Sequence, residues 1–255
     1  MKIVLRILLV VAIIIVAGIG YIFISFRSST PRDLGITYTQ ADLEYGRGKS
    51  QIVYEKITDT VSPSQYWQTT GSRDVDTAFT SSEVTAIMNN KPGLYYPYKD
   101  VQVKFNADGT AEISCAVDKS RIPTYAATFG TPQEVVDLVM SFLPENPVFY
   151  LKGKATLVDN KVGVFEPQRF EVGRLPLPLN LILAKDPSFS NKVYAMDLNE
   201  LLSEISGVSD KRSLIVSFIN EKLAGIEGFY AKDAHMEEDK LVYKGTLPET
   251  ESTVR

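Results

Sequence analysis

The 255-residue chain contains one histidine, His235, and one cysteine, Cys115. That inventory removes most of the side chains from which nucleophilic and metal-dependent sites are built. A single Cys and a single His cannot assemble a four-ligand Cys/His zinc site, and a lone Cys forms no internal disulfide. His235 lies in the alternating stretch Phe229–Met236, where a lone imidazole reads as a surface or packed strand residue. Cys115 alternates with Ile113 and Val117 and reads as a small buried hydrophobe.

Other candidate chemistries fail on spacing. Gly46-x-Gly48-Lys49-Ser50 resembles the end of a phosphate loop, but that loop needs a further glycine where Leu43 stands. No G-x-S-x-G elbow occurs, and no Ser stands three residues before a Lys. Glu237-Glu238-Asp239 lacks the alternating ligands and glycine of a calcium loop and reads as a charged turn. A carboxylate pair brought together from distant positions stays open, because its separation exists only in three dimensions. The expectation is a non-enzymatic protein with no cofactor and no metal. The net charge of −4 argues against a nucleic-acid partner, which selects a basic surface.

Ile7–Ile24 is an uncharged run, ILLVVAIIIVAGIGYIFI. At about 1.5 Å per residue it reaches roughly 27 Å, close to the hydrocarbon thickness of a bilayer. A cleaved signal has a shorter apolar core and a small-residue cleavage motif, and here Ser25-Phe26-Arg27 follows. Basic residues are nearly balanced across the run, with Lys2 and Arg6 before it and Arg27 and Arg32 soon after. A short tail normally stays inside while a long domain is exported. The expected layout is an anchor at 1–26, a juxtamembrane segment at 27–78 and an extracytoplasmic α+β domain at 79–255.

Within 27–78, Thr39-Gln-Ala-Asp42 opens a short helix expected to end at Gly46 or Gly48, and Thr58–Arg73 reads as loop around Trp67. The rest repeats one scheme three times. Thr80-Ser-Ser-Glu83 starts a helix bearing Val84, Ile87 and Met88, followed by a hairpin across Asn106–Gly109. Thr131-Pro-Gln-Glu134 starts a second helix with Val135, Leu138, Val139 and Phe142 on its apolar face, followed by strands around Asp159-Asn160. Asp210 caps a third helix with Leu214, Ile215, Phe218 and Ile219, followed by a hairpin over Phe229–Leu247. Aromatic clusters at Tyr66-Trp67 and Tyr95-Tyr96-Pro97-Tyr98 suit stacking on sugars or a lipid interface, and equally the filling of a half-buried sheet.

The anchor, Ser81-Ser-Glu-Val-Thr-Ala86, Val101-Gln-Val-Lys-Phe105, Phe170-Glu-Val-Gly-Arg-Leu-Pro-Leu-Pro178 and Lys244-Gly-Thr-Leu-Pro248 together resemble the YpmS-like family of membrane-anchored proteins of Gram-positive bacteria. That family in turn resembles the tubular lipid-binding (TULIP-like) superfamily. The resemblance covers residues 79–248 and implies a curved antiparallel sheet wrapped around a helix beside an apolar groove. It implies no catalytic residues. The resulting expectation is a single-pass membrane protein whose partner is membrane lipid or an envelope component. Val135, Leu138, Val139, Phe142, Leu214, Phe218 and Ile219 are the expected lipid-lining positions. The alternative is a non-enzymatic envelope scaffold or cell-wall-binding module.

Overall fold

The computed structural model describes Ser25 and residues 28–131, 133–177 and 211–255. The apolar run Ile7–Ile24 lies outside the described residues; among those described, no helix is long and apolar enough to cross a membrane. The elements run α1 (Gln40–Ser50), β1 (Val53–Ile57), β2 (Trp67–Thr70), β3 (Arg73–Thr80), α2 (Ser81–Asn89), β4 (Tyr98–Phe105), β5 (Ala111–Val117), α3 (Ile122–Thr128) and α4 (Gln133–Phe142). They continue with β6 (Val148–Val158), β7 (Lys161–Val172), β8 (Leu175–Leu177), α5 (Lys211–Ala224), β9 (Tyr230–Glu237), β10 (Lys240–Leu247) and β11 (Thr250–Val254). The fold is α+β, and the helix-then-hairpin scheme occurs as α2–β4–β5, α4–β6–β7 and α5–β9–β10.

The turns explain the hairpins. Gly109 takes φ 75°, Asp159 and Asn160 take 50° and 58°, and Asp239 takes 57°, the left-handed region favoured by Gly, Asn and Asp. The large sheet has the order β3-β10-β9-β6-β5-β4, with β7 on the opposite edge of β6 and β8 beyond it. Along one edge, β6 pairs first with β5 (Val148–Gly153) and then with β9 (Leu157 and Val158). The sheet therefore divides into two wings at β6, and α2 fills the space between them. Val84 packs against both buried clusters, Val75/Phe79/Ala231/Ala234/Tyr243 on one wing and Val101/Val103/Phe105/Cys115/Val117 on the other.

Helix α2 also closes the outer edge of β4. Ser81, Thr85 and Asn89, spaced by four, lie on one helix face. Ser81 Oγ accepts from Phe105 N, and Asn89 bonds both the N–H and C=O of Val101. Thr85 Oγ1 serves both polar groups of Val103. A row of backbone groups that would otherwise invite another strand is satisfied by side chains.

Three expectations for residues 27–78 change. Helix α1 runs through Gly46 and Gly48 to Ser50, ending with Gln51 in the left-handed conformation. Glycine persists there because the helices approach closely: a Cβ on Gly46 would lie 2.9 Å from Ile87 Cδ1 and 3.2 Å from Glu83 Cβ. Trp67 sits in a strand, not a loop, because β2 pairs antiparallel with β11. The segment 27–78 also supplies β1, which pairs parallel with β11, and β3, which edges the large sheet against β10.

Candidate functional site

In an antiparallel sheet, residues in register share a face. Val103, Ile113, Leu151 and Phe170 are partners in turn across β4, β5, β6 and β7. The neighbouring row is Cys115, Phe149, Val172 and Leu175. This is a two-row apolar strip across five strands. Its β4–β5 end is buried under α2. Toward β7 the cover of the first row thins: Leu151 is 41% exposed, and Phe170 is half-buried, stacked on the half-buried Phe149 with centroids 5.9 Å apart, while Val172 in the second row stays buried. Strand alternation puts Ser114, Tyr150, Glu171, Glu112, Lys152 and Arg169 on the reverse face.

The helices expected to line a groove reach this hairpin unequally. Helix α5 packs on β7, where Asn220 Oδ1 accepts from Val162 N. Ile219 is half-buried there, whereas Phe218 is 55% exposed with the Lys222 ammonium 5.2 Å above its ring. Helix α4 packs on α3. The side chains of Val135, Leu138, Val139, Phe142 and Leu214 lie outside the described residues. Ile113, Phe149, Leu151 and Phe170 were missed as site residues. The available signal was the apolar alternation Phe149–Leu151 on a strand whose intervening residues are Tyr150 and Lys152.

The aromatic clusters turn inward on one another. Trp67 leans on Phe129 at 5.5 Å, Phe129 on Tyr125 at 4.8 Å, Tyr125 stacks on Tyr95 at 6.3 Å, and Tyr98 meets both Tyr125 and Tyr96 edge-on. Tyr95 is 1% exposed, and burial, reinforced by the charge of Glu251, pushes its hydroxyl far above the ordinary tyrosine range. These rings form a satellite core that ties α3 to the small three-stranded sheet.

A cleft of about 660 Å³ opens elsewhere, between the start of β4, the end of β5 and the 145–147 turn. Lys99, Asp118, Lys119, Ser120 and Glu145 line it together with Ala116, Val117 and Pro147, so its lining is mixed. The hydrogen bonds from Lys99 and Ser120 hold the Asp118 carboxyl down at about 2. His235 stands on β9 between Asp233, 2.9 Å from Nδ1, and Glu237, 3.5 Å from Nε2, on a solvent-facing surface. Among the described residues, no group of three or more His, Cys, Asp or Glu side chains is placed to hold a metal ion. Compared with family models, with curated proteins and with solved structures, the chain matches none.

Proposed function

We propose that this chain is a single-pass, membrane-anchored extracytoplasmic protein of the YpmS-like, TULIP-like kind, whose domain binds lipid. The observation that carries the reading is the apolar strip emerging from beneath α2. An acyl chain laid along Ile113, Leu151 and Phe170 continues the contacts that Val103 makes inside the core. A half-covered Leu and Phe pair gains roughly 1–3 kcal/mol when an alkyl chain removes it from water, at about 25 cal/mol per Å². The apolar run Ile7–Ile24 supplies the tether that keeps the domain beside its ligand. The scaffold or cell-wall reading draws on the aromatic clusters, whose rings are occupied with each other. No catalytic residue, cofactor or metal enters this account.

The test is displacement of a fluorescent fatty acid from the full chain in detergent. Wild type is expected to bind the probe saturably. Leu151→Gln, at a partly exposed position, is expected to weaken binding about tenfold, the equivalent of 1.4 kcal/mol, with the melting temperature nearly unchanged. Equal probe binding by wild type and Leu151→Gln would remove the strip from the account.

A further inference from the structure

On the reverse face of the same hairpin, two arginines share one carboxylate. Glu171 is fully buried, and Arg32 bonds both of its oxygens, at 2.9 and 2.8 Å, while Arg169 Nε donates to Oε1. One negative charge thus faces two guanidinium groups. The Arg32 group lies over the Tyr150 ring at 4.7 Å, and its buried Nε–H has no hydrogen-bond partner among the described residues. Arg174 adds a third guanidinium, donating to Pro31 O at 3.1 Å. Excess positive charge on partly exposed guanidinium groups draws a counter-anion.

The position of this cluster identifies the anion. Arg174 N donates to Ser25 O at 2.6 Å. Ser25 directly follows the apolar run Ile7–Ile24. If that run spans the bilayer, the polypeptide leaves the membrane against Arg174, and Arg169 and Arg32 stand at headgroup level. We propose that Arg169 and Arg174, arranged around the Arg32–Glu171 pair, bind the phosphate of an anionic phospholipid headgroup. This inference rests on the membrane-anchored reading and adds a headgroup contact distinct from the apolar strip. A planar guanidinium offers paired donors to a phosphate, which an ammonium does not.

The experiment uses the full chain in nanodiscs of phosphatidylcholine mixed with phosphatidylglycerol, followed by release in mild detergent and native mass spectrometry of the retained lipid. Wild type is expected to enrich phosphatidylglycerol over the bulk ratio. Arg169→Ala leaves Glu171 paired with Arg32 and is expected to lower that enrichment about fivefold, matching about 1 kcal/mol for one basic residue at an anionic surface. Arg169→Lys should recover only part of it. Lys56→Ala, an exposed cation on the three-stranded sheet, should leave it unchanged. Leu151→Gln should reduce total retained lipid without lowering the phosphatidylglycerol enrichment, which separates failure of the strip from failure of the arginine site. Unchanged enrichment in Arg169→Ala, or an equal fall in Lys56→Ala, would overturn the proposal. Displacement of phosphatidylglycerol by dilute inorganic phosphate would overturn it in favour of a free-anion site.

Discussion

Thr85 and Val103 satisfy each other completely: the threonine hydroxyl accepts from the Val103 N–H at 2.9 Å and donates to its carbonyl at 3.3 Å. One hydroxyl has one donor and spare lone pairs, so it can serve both groups. Both residues are buried, so water cannot replace the bonds. Thr85→Val keeps the shape and removes both partners, and roughly 2–4 kcal/mol of stability is expected to be lost. Thr85→Ser should recover most of it. Urea unfolding midpoints of the three proteins provide the check; equal midpoints for wild type and Thr85→Val would mean that α2 does not seal this edge.

The bulge between Lys244 and Gly245 depends on the missing side chain at Gly245. Gly245 has φ 154°, and a Cβ there would lie 1.9 Å from Tyr230 O. Since that oxygen belongs to the paired backbone of β9, it cannot swing aside. Gly245→Ala is expected to cost at least about 2 kcal/mol, well above an ordinary strand substitution. Circular dichroism melts report it, and an unchanged melting temperature would rule out the close approach of β9 and β10.

Cys115 is 5% exposed, and burial pushes its thiol up to about 11. Native-state alkylation at pH 8.5 should therefore be slow and should become rapid in denaturant. The Tyr54 hydroxyl is likewise raised to about 12, by burial first and then by the charge of Glu251. In the unfolded chain both groups lose protons at lower pH, near 8.5 for Cys and 10 for Tyr. The folded state then holds more protons, so stability is full below about pH 8 and falls as pH rises toward 12. Equilibrium unfolding across that range checks the sign; constant stability from neutral to alkaline pH would contradict the burial of both groups.

Hairpins were legible because their turns are written locally: Asn106–Gly109, Asp159–Asn160 and Glu237–Asp239 each interrupt alternating apolar strands. Cys115 fell where its alternation with Ile113 and Val117 placed it. The small sheet was not legible. Its strands Trp67–Thr70 and Thr250–Val254 are short and polar, and β1 finds its partner β11 almost at the other end of the chain. Helix α1 outran its glycines because packing against α2 outweighs their helix penalty of about 1 kcal/mol each. The Arg32–Glu171 pair spans 139 positions and leaves no local trace. For the candidate site, periodicity marked helices as apolar but could not tell which of their residues a sheet would cover. Phe218 and Ile219, adjacent on α5, differ in cover, and β7 packs on one side of that helix.

Lipid held against the strip of Ile113, Leu151 and Phe170 is directly measurable. The full chain, expressed in a bacterial membrane and extracted in mild detergent, is weighed by native mass spectrometry before and after collisional release. Wild type is predicted to carry added mass equal to a phospholipid, and Leu151→Gln to retain less of it while melting close to the wild-type temperature. A wild-type chain that flies at its bare polypeptide mass, under conditions where a known lipid-binding control keeps its ligand, would contradict the account.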